Sequence, residues 1–460
     1  IENEYKCKLK DIPPTDLLHL PNVTEIVSFI RSQLVPKYFL KDVMQSELRA
    51  FKDLKRYSEA SRSPDVHMDI KGLIRKAGFS VEEHTVKTED GYILTIHRIP
   101  GKGKPVFLMH GLLCSADDWV TVGQNNSLAY NLAQQGYDVW MGNARGTKHS
   151  MKHEYIPSKC AEFWDFSWHE IGVYDLPAMI DYVLDNTGEK KLAYMGHSQG
   201  TTSVFVLLSE RPEYNDKINI AVILSPVAWM SHLKSPVVRL VSLNVNQVYT
   251  LIGNKGINPK SPFLKLVIDI VCANTALTRF VASNLIFLFF GYDFQQIDIV
   301  KLPVIGGHIP GGASTKQLVH YGQEIESAQF CKFDHGKKKN RELYGADSPP
   351  LYPVEKITAP TALFYSERDW FSNVTDVNII RSKLPNVKAC YNMETYNHVD
   401  YLYAKNLQER IFPKVLDLLR SRYLMQGNAS YTHLYRHVFL HSMRNYCSLL
   451  CFLLCRHEKC

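Results

Sequence analysis

The strongest constraint on the fold is a repeated alternation of short apolar runs with longer helix-like stretches. The apolar runs occupy residues 105–111, 137–143, 191–198, 218–226, 361–369 and, more briefly, 387–393. Runs of this kind are typical of strands buried on both faces, and strands that alternate with helices favour a mainly parallel sheet covered by helices. We therefore predict an α/β fold. Before the first of these runs, residues 81–99 alternate around Glu89-Asp90-Gly91, which predicts a β-hairpin.

Interruptions of this alternation divide the chain into segments. The predicted segments are an N-terminal extension and linker at 1–64, the first part of an α/β core at 65–225, a helical cap at 226–345, the second part of the core at 346–424, and a tail rich in cysteine and histidine at 425–460. In the cap we expect helices with apolar faces and Gly/Pro-rich turns, as at 304–314. The tail could hold zinc or carry acylated cysteines, but its spacing matches no common zinc arrangement. We therefore predict no metal, and a tail without defined structure is the simpler interpretation.

The composition is that of an ordinary globular protein, with 45% hydrophobic and 22% charged residues in a chain of 460. The net charge of +7 is small for this length, so no nucleic-acid partner is predicted. No apolar run reaches the roughly 18 residues of a membrane-spanning helix, and no stretch near residue 1 has the pattern of a signal peptide. Most of the ten cysteines are scattered, which argues against a disulfide scaffold. Acceptor triplets for N-glycans begin at Asn22, Asn125, Asn373 and Asn428.

A serine between two glycines lies where one predicted strand ends. Ser198, in Gly196-His-Ser-Gln-Gly200, follows an apolar run and precedes a helix-like stretch. This strand–turn–helix context is the one that a nucleophile elbow requires, with the hydroxyl exposed above the sheet. A Cβ at either glycine would strike the neighbouring strand or helix. We therefore predict that Ser198 is a nucleophile; the alternative is a helix cap at a sharp turn.

A serine hydroxyl becomes a useful nucleophile only with a histidine base that a carboxylate orients. Behind a nucleophile elbow the expected chain order is serine, then acid, then histidine. Asp369 ends one apolar run, and His398 follows the next one in a loop. We predict that they are the acid and the base. The rival candidates, which lie in loops or inside a predicted helix, are Asp347, Asp376 and His335.

An oxyanion hole needs two fixed N–H donors directed at the place where negative charge develops. The amide of Gln199, the residue after the serine, is one candidate. The second should come from the loop after an early strand, where His110-Gly111 ends the run 105–111. The next amide, that of Leu112, is therefore the predicted second donor.

Several longer motifs resemble one enzyme family. The stretches "HGLLCSADDWV", "GNARGTKHS", "GHSQGTT" and "RDWFSNVTDV" are similar to those of the acid lipases of the α/β-hydrolase superfamily, which include lysosomal acid lipase, gastric lipase and insect relatives. The resemblance extends over residues 65–424. It implies an α/β-hydrolase fold with an inserted helical cap. Where mammalian members carry a cap disulfide, the stretch 271–291 keeps only Cys272, so we expect that bridge to be absent.

The resemblance also implies a mechanism. Ser198 would be the nucleophile, with Asp369 as its acid partner and His398 as its base, and the amides of Leu112 and Gln199 would form the oxyanion hole. The family hydrolyses esters of neutral lipids, triacylglycerols or steryl esters, at a lipid–water interface without a metal or cofactor. It implies a secreted or lysosomal protein. The alternatives are a short-chain carboxylesterase or acyltransferase that shares these residues, and an inactive lipid-binding protein.

Overall fold

The computed structural model describes residues 62–235, 238–239, 242–243, 245–257 and 296–423. All of them fall within one compact unit, Asp53–Cys460. The N-terminal extension up to residue 61 and the tail from residue 424 lie outside the described residues. So do Asn22, Asn428 and Cys272.

A nine-stranded sheet forms the centre of the described structure. Its strands are β1 Glu82–Lys87, β2 Tyr92–Ile99, β3 Pro105–Met109, β4 Asp138–Gly142, β5 Lys152–His153, β6 Leu192–His197, β7 Ile218–Leu224, β10 Thr361–Tyr365 and β11 Val387–Asn392. The order is β1-β2-β4-β3-β6-β7-β10-β11, and β5 pairs with β2. Pairing is parallel from β4 to β11 and antiparallel among β1, β2, β4 and β5. The predicted hairpin at 81–99 and the mainly parallel sheet are therefore confirmed.

Helices cover both faces of this sheet. They are α1 Ile70–Lys76, α2 Leu128–Gln134, α3 Trp168–Glu170, α4 Leu176–Thr187, α5 Gln199–Glu210, α6 Val245–Ile252, α7 Leu302–His308, α8 Thr315–Ser327, α9 Lys337–Tyr344, α10 Val374–Lys383, α11 Asp400–Tyr403 and α12 Leu407–Arg410, followed by helical residues 412–423. A π-helical turn, Ile171–Asp175, joins α3 to α4. Among these described helices, none is long and apolar enough to cross a membrane.

The two faces of the sheet pack into two separate hydrophobic clusters, which explains why the strand sequences are apolar throughout. In β3, Phe107 and Met109 belong to one cluster, and Val106 and Leu108 belong to the other. Because successive side chains of a strand point to opposite faces, a sheet covered on both sides needs an unbroken apolar run. All five residues of β3 are buried.

The described part of the predicted cap adds helices α6 to α9 and a two-stranded sheet of β8 Gly256–Ile257 and β9 Ala313–Ser314. The prediction of a Gly/Pro-rich turn over 304–314 was wrong for its first half, because α7 continues to His308. A Cβ on Gly307 would lie 2.1 Å from the carbonyl oxygen of Val66. This glycine therefore serves close packing and not a turn. The apolar segment 283–294 lies outside the described residues.

Buried aromatic and charged groups fix the loops beside the sheet. Trp168 is fully buried and stacks on His320 of α8 with ring centroids 3.8 Å apart, so this aromatic side chain has a packing role. Arg145 is also buried; its guanidinium binds Asp175 at 2.7 Å and Asp90 at 2.6 Å. This ion cluster ties the loop after β4 to the β1–β2 hairpin.

Candidate active site

Ser198 lies at a sharp turn between β6 and α5. Its φ is +52°, a left-handed conformation that is strained for a residue with a side chain. The turn is possible because both flanking glycines lack a Cβ. A Cβ on Gly196 would lie 2.7 Å from the carbonyl carbon of Gly200, and one on Gly200 would lie 2.4 Å from the carbonyl oxygen of Met109. The Ser198 N–H donates to the Leu224 carbonyl at 3.2 Å, which extends the β6–β7 pairing to the turn.

The structure brings Ser198, His398 and Asp369 together. The Nε2 atom of His398 lies 2.8 Å from Ser198 Oγ. On the other side of the ring, Nδ1 lies 3.0 Å and 3.2 Å from the two carboxyl oxygens of Asp369. A hydroxyl on one nitrogen and a carboxylate on the other is the arrangement of a serine–histidine–acid triad. It requires the Nδ1–H tautomer of a neutral imidazole.

The Asp369 carboxyl is fully buried but well supplied with donors. The N–H groups of Phe371 and Ser372 each donate to its Oδ1 at 2.9 Å. Burial alone would raise its pKa, but the adjacent His398, the Ser225 hydroxyl and the Ser372 N–H together hold the pKa of Asp369 below its ordinary value. A carboxylate therefore faces the imidazole throughout the neutral and mildly acidic range.

Sequence reasoning missed Ser225, a fourth side chain in this group. Ser225 follows β7 and is fully buried. Its hydroxyl donates to Asp369 Oδ2 at 2.5 Å and lies 2.8 Å from His398 Nδ1. The only sequence signal was a serine at the end of the apolar run 218–226.

His197 and Phe371 hold the imidazole of His398 from two sides. The Nε2 atom of His197 lies 2.7 Å from the His398 carbonyl oxygen, so its N–H donates there. Burial and the nearby His398 lower the pKa of His197 to about 3, which keeps it neutral. The Phe371 ring stacks on His398 with centroids 4.8 Å apart. His197 thus packs beside the turn and also makes a hydrogen bond to the His398 main chain.

The two predicted oxyanion donors flank Ser198. Gly111, the residue before Leu112, packs so closely that a Cβ on it would lie 3.1 Å from Ser198 Cβ. Gln199 is the first residue of α5, and its side-chain oxygen accepts a hydrogen bond from Gln317 of α8 at 3.0 Å. Within the described part of the chain, the main-chain N–H groups of Leu112 and Gln199 donate to no protein acceptor. Both are available to an oxygen atom of a substrate.

The rival candidates are used elsewhere. Asp376 lies in α10 and binds the His232 ring at 2.7 Å, while Asp347 pairs with Arg341. The His335 ring packs on Phe333, with ring centroids 4.8 Å apart. These contacts give all three side chains structural partners away from Ser198.

The two described glycosylation candidates differ in exposure. Asn125 is exposed, in the loop before α2. Asn373 is only 6% exposed, and its side chain accepts a hydrogen bond from the Thr375 N–H at the start of α10. Of the two, Asn125 is the one accessible to a glycosyltransferase.

A metal ion has no ready site in the described ranges, because no group of three or more His, Cys, Asp or Glu side chains is arranged to hold one. The chemistry that the site can perform follows from its own side chains. The cysteine- and histidine-rich tail lies beyond the described residues.

Comparison with known proteins identifies the family of this chain. Residues 70–123 match the model of a partial α/β-hydrolase lipase region, and residues 104–405 match that of the α/β hydrolase fold. "Lipase 3" of Drosophila melanogaster is 42% identical over 76% of this chain and 92% of its own length. Human "Lysosomal acid lipase/cholesteryl ester hydrolase" is 37% identical over 78% of this chain and 92% of its own length. Mouse "Gastric triacylglycerol lipase" is 34% identical over 78% of this chain and 93% of its own length. The chain therefore belongs to the acid-lipase family of the α/β-hydrolase superfamily.

Proposed function

We propose that this protein is a serine lipase that hydrolyses carboxylic esters of neutral lipids through an acyl-enzyme intermediate, with Ser198, His398 and Asp369 as its catalytic triad. The observation that carries the proposal is the placement of His398 between the Ser198 hydroxyl and the Asp369 carboxylate, at a strained strand-to-helix turn. Family membership supports the same conclusion.

The reaction begins when His398 Nε2 takes the hydroxyl proton and Ser198 Oγ attacks the ester carbonyl carbon. The carbonyl oxygen becomes an oxyanion, which accepts hydrogen bonds from the main-chain N–H groups of Leu112 and Gln199. As the carbon–oxygen bond of the ester breaks, His398 gives its proton to the leaving alcohol. Water then enters, loses a proton to His398 and attacks the acyl carbon. As the bond to Ser198 Oγ breaks, His398 returns the proton to that oxygen and the fatty acid leaves.

Asp369 holds the imidazole in the correct tautomer and stabilises the positive charge that it carries in each transition state. Its buried, fully hydrogen-bonded carboxylate suits this role because it keeps its charge and position without bulk water. Replacing a triad acid by its amide lowers kcat by about 10⁴-fold in a well-studied protease, through the wrong tautomer. We expect a loss of the same order for Asp369→Asn.

The substrate we propose is a triacylglycerol or a steryl ester. Support comes from the printed names of relatives, a cholesteryl ester hydrolase and a triacylglycerol lipase. By the same reasoning, and with an accessible acceptor at Asn125, we propose a secreted or lysosomal glycoprotein. A metal or organic cofactor has no part in the steps above.

The decisive test removes the Ser198 hydroxyl. We expect Ser198→Ala to lose both labelling by a fluorophosphonate probe and all ester turnover. Ser209→Ala is the matched control, because that buried serine sits at the other end of α5 and bonds only the Val206 carbonyl at 3.1 Å. Turnover retained by folded Ser198→Ala would refute the mechanism.

A substrate series tests the lipid preference separately. Triolein, cholesteryl oleate and a butyrate ester should be compared at about pH 5 and about pH 7.5, on either side of the ordinary histidine pKa of about 6.5. A lipase prefers the emulsified long-chain esters. Preference for the butyrate would indicate a short-chain esterase, and tight lipid binding without any turnover would indicate a lipid-binding protein.

A further inference from the structure

The Ser225 hydroxyl contacts two members of the triad, His398 and Asp369. It follows β7, the strand between β6 and β10, and so lies beside both Ser198 and Asp369. We propose that Ser225 is a positioning residue that divides the Nδ1–H hydrogen bond of His398 between itself and Asp369, and thereby keeps the enzyme active at more acid pH. The proposal rests on the proposed function, since it assumes that His398 is the general base.

The backbone holds the Ser225 hydroxyl in place. Its φ is +57°, which is left-handed like that of Ser198, and its N–H donates to the Phe364 carbonyl at 2.9 Å. A non-glycine residue in this conformation is strained, and such strain persists only where the surrounding structure fixes it. The sheet pairing therefore fixes both the backbone and the direction of the side chain.

The number of protons available determines how the Ser225 hydroxyl, the Asp369 carboxylate and the His398 imidazole bond to one another. A hydroxyl has one proton to donate, and Ser225 donates it to Asp369 Oδ2 at 2.5 Å. Its oxygen is then an acceptor toward His398 Nδ1, 2.8 Å away. That distance is shorter than those from Nδ1 to either carboxyl oxygen, 3.0 Å and 3.2 Å. The Nδ1–H is therefore shared, and its nearest acceptor is neutral.

This sharing weakens the attraction between Asp369 and a protonated imidazole in two ways. The carboxylate already accepts the Ser225 proton, which spreads its charge, and the nearest acceptor of the Nδ1–H is a hydroxyl in place of a carboxylate. A hydrogen bond to the charged form of a group favours that form. Ser225 thus favours the Asp369 carboxylate while reducing the gain when His398 takes up a proton. We therefore expect activity to extend to lower pH with Ser225 in place than with Asp369 alone.

The other titratable groups near His398 are neutral or bind elsewhere. From β6, neutral His197 binds the His398 carbonyl. From α11, the buried Tyr401 lies near His197, with ring centroids 6.4 Å apart, and Asp400 accepts a hydrogen bond from the Asn397 N–H. Burial raises the pKa of Tyr401 well above its ordinary value, so it stays neutral. The two carboxyl oxygens of Asp369 directly contact the imidazole, at 3.0 Å and 3.2 Å.

The test removes the Ser225 hydroxyl by two different substitutions. Ser225→Ala keeps the Cβ, and Ser225→Gly relieves the left-handed backbone, so that a folding defect of the first variant does not end the experiment. The ratio kcat/KM for a soluble butyrate ester should be followed from about pH 4 to about pH 8, where its acid limb reports the base of the free enzyme. In both variants we expect the pH of half-maximal kcat/KM on the acid side to rise by roughly half a unit or more.

Controls separate this inference from the proposed function. Ser209→Ala should keep the wild-type profile, and Ser198→Ala should be inactive. Suppose that Ser198→Ala is inactive, but that the acid limbs of kcat/KM for both Ser225 variants superimpose on that of the wild type or lie at lower pH. The inference about Ser225 is then wrong, and the proposed function stands. If Ser198→Ala retains turnover, both fail together. A merely structural role of Ser225 would lower kcat/KM at every pH and leave the acid limb in place.

Discussion

Glu324 makes the stability of this fold dependent on pH, and Glu324→Gln should remove that dependence. The residue lies in α8 and is fully buried. Within the described part of the chain, neither of its carboxyl oxygens has a hydrogen-bond partner. Burial raises the pKa of Glu324 well above its ordinary value, so the folded protein keeps this carboxyl neutral at a pH where the unfolded chain ionises it. Glutamine has nearly the same shape and carries no charge.

The sign and size of the effect follow from proton linkage. Above the unfolded pKa of about 4.3, unfolding releases a proton that the folded state holds. The stability that neutral Glu324 provides is thus complete below that pH and is lost as the pH rises toward the folded pKa. While Glu324 stays protonated in the fold, the loss approaches about 1.4 kcal/mol per pH unit, which sets an upper limit of about 2.7 kcal/mol between about pH 5 and about pH 7. The Glu324→Gln protein lacks this loss.

Urea unfolding of the wild type and the variant, followed by tryptophan fluorescence at about pH 5 and about pH 7, measures the difference. We expect the difference in unfolding free energy, Glu324→Gln minus wild type, to be larger at the higher pH, by up to about 2.7 kcal/mol. Glu326→Gln, at an exposed position on the same helix, should show no such change. Equal differences between Glu324→Gln and wild type at the two pH values would refute the reasoning, since they would mean that the buried carboxyl is already ionised in the fold.

Two further substitutions test the supports of the site. Gly200→Ala places a Cβ 2.4 Å from the carbonyl oxygen of Met109 in β3. We expect the unfolding free energy to fall by about 3 kcal/mol or more, because main-chain atoms on both sides resist the overpacking. An unchanged thermal midpoint would disprove the close contact. Arg145→Met leaves the fully buried Asp175 and the partly buried Asp90 without their cation. We expect the unfolding free energy, measured from the urea midpoint, to fall by about 3–5 kcal/mol. A loss below about 1 kcal/mol would show that the ion cluster is replaceable.

Much of the fold could be predicted because the buried strands carry a strong local signal. A strand such as β3, with clusters on both faces, has to be apolar at every position, and the helices between such strands require parallel pairing. Ser198, Asp369 and His398 could be proposed from the same pattern, because each follows a strand. The carboxyl ends of parallel strands meet at one edge of the sheet, so strand ends far apart in the chain become neighbours.

The remaining features depend on contacts that a single segment does not encode. Gly307 looked like part of a turn, but its role is set by the Val66 carbonyl, which is far away in sequence. No sequence pattern distinguished Glu324 from the exposed acids of the chain, and only packing shows that it is buried. Ser225 became significant only with the strand order β6-β7-β10, which places its hydroxyl beside a carboxylate 144 residues later.

The two left-handed serines share one structural cause, which explains why they approach the same imidazole. Each is the residue directly after a parallel strand, β6 for Ser198 and β7 for Ser225. Each N–H donates to a carbonyl on the next strand of the sheet, which is that of Leu224 for Ser198 and that of Phe364 for Ser225. Pairing therefore continues up to the residue where the backbone turns, and this pairing offsets strain of about 1–3 kcal/mol at each position. The two hydroxyls then reach His398 from neighbouring strands, one at Nε2 and the other at Nδ1. Relaxing the turn at Ser225 would free the Nδ1 side without moving Ser198, so the acid limb of activity should respond to position 225 while fluorophosphonate labelling of Ser198 continues.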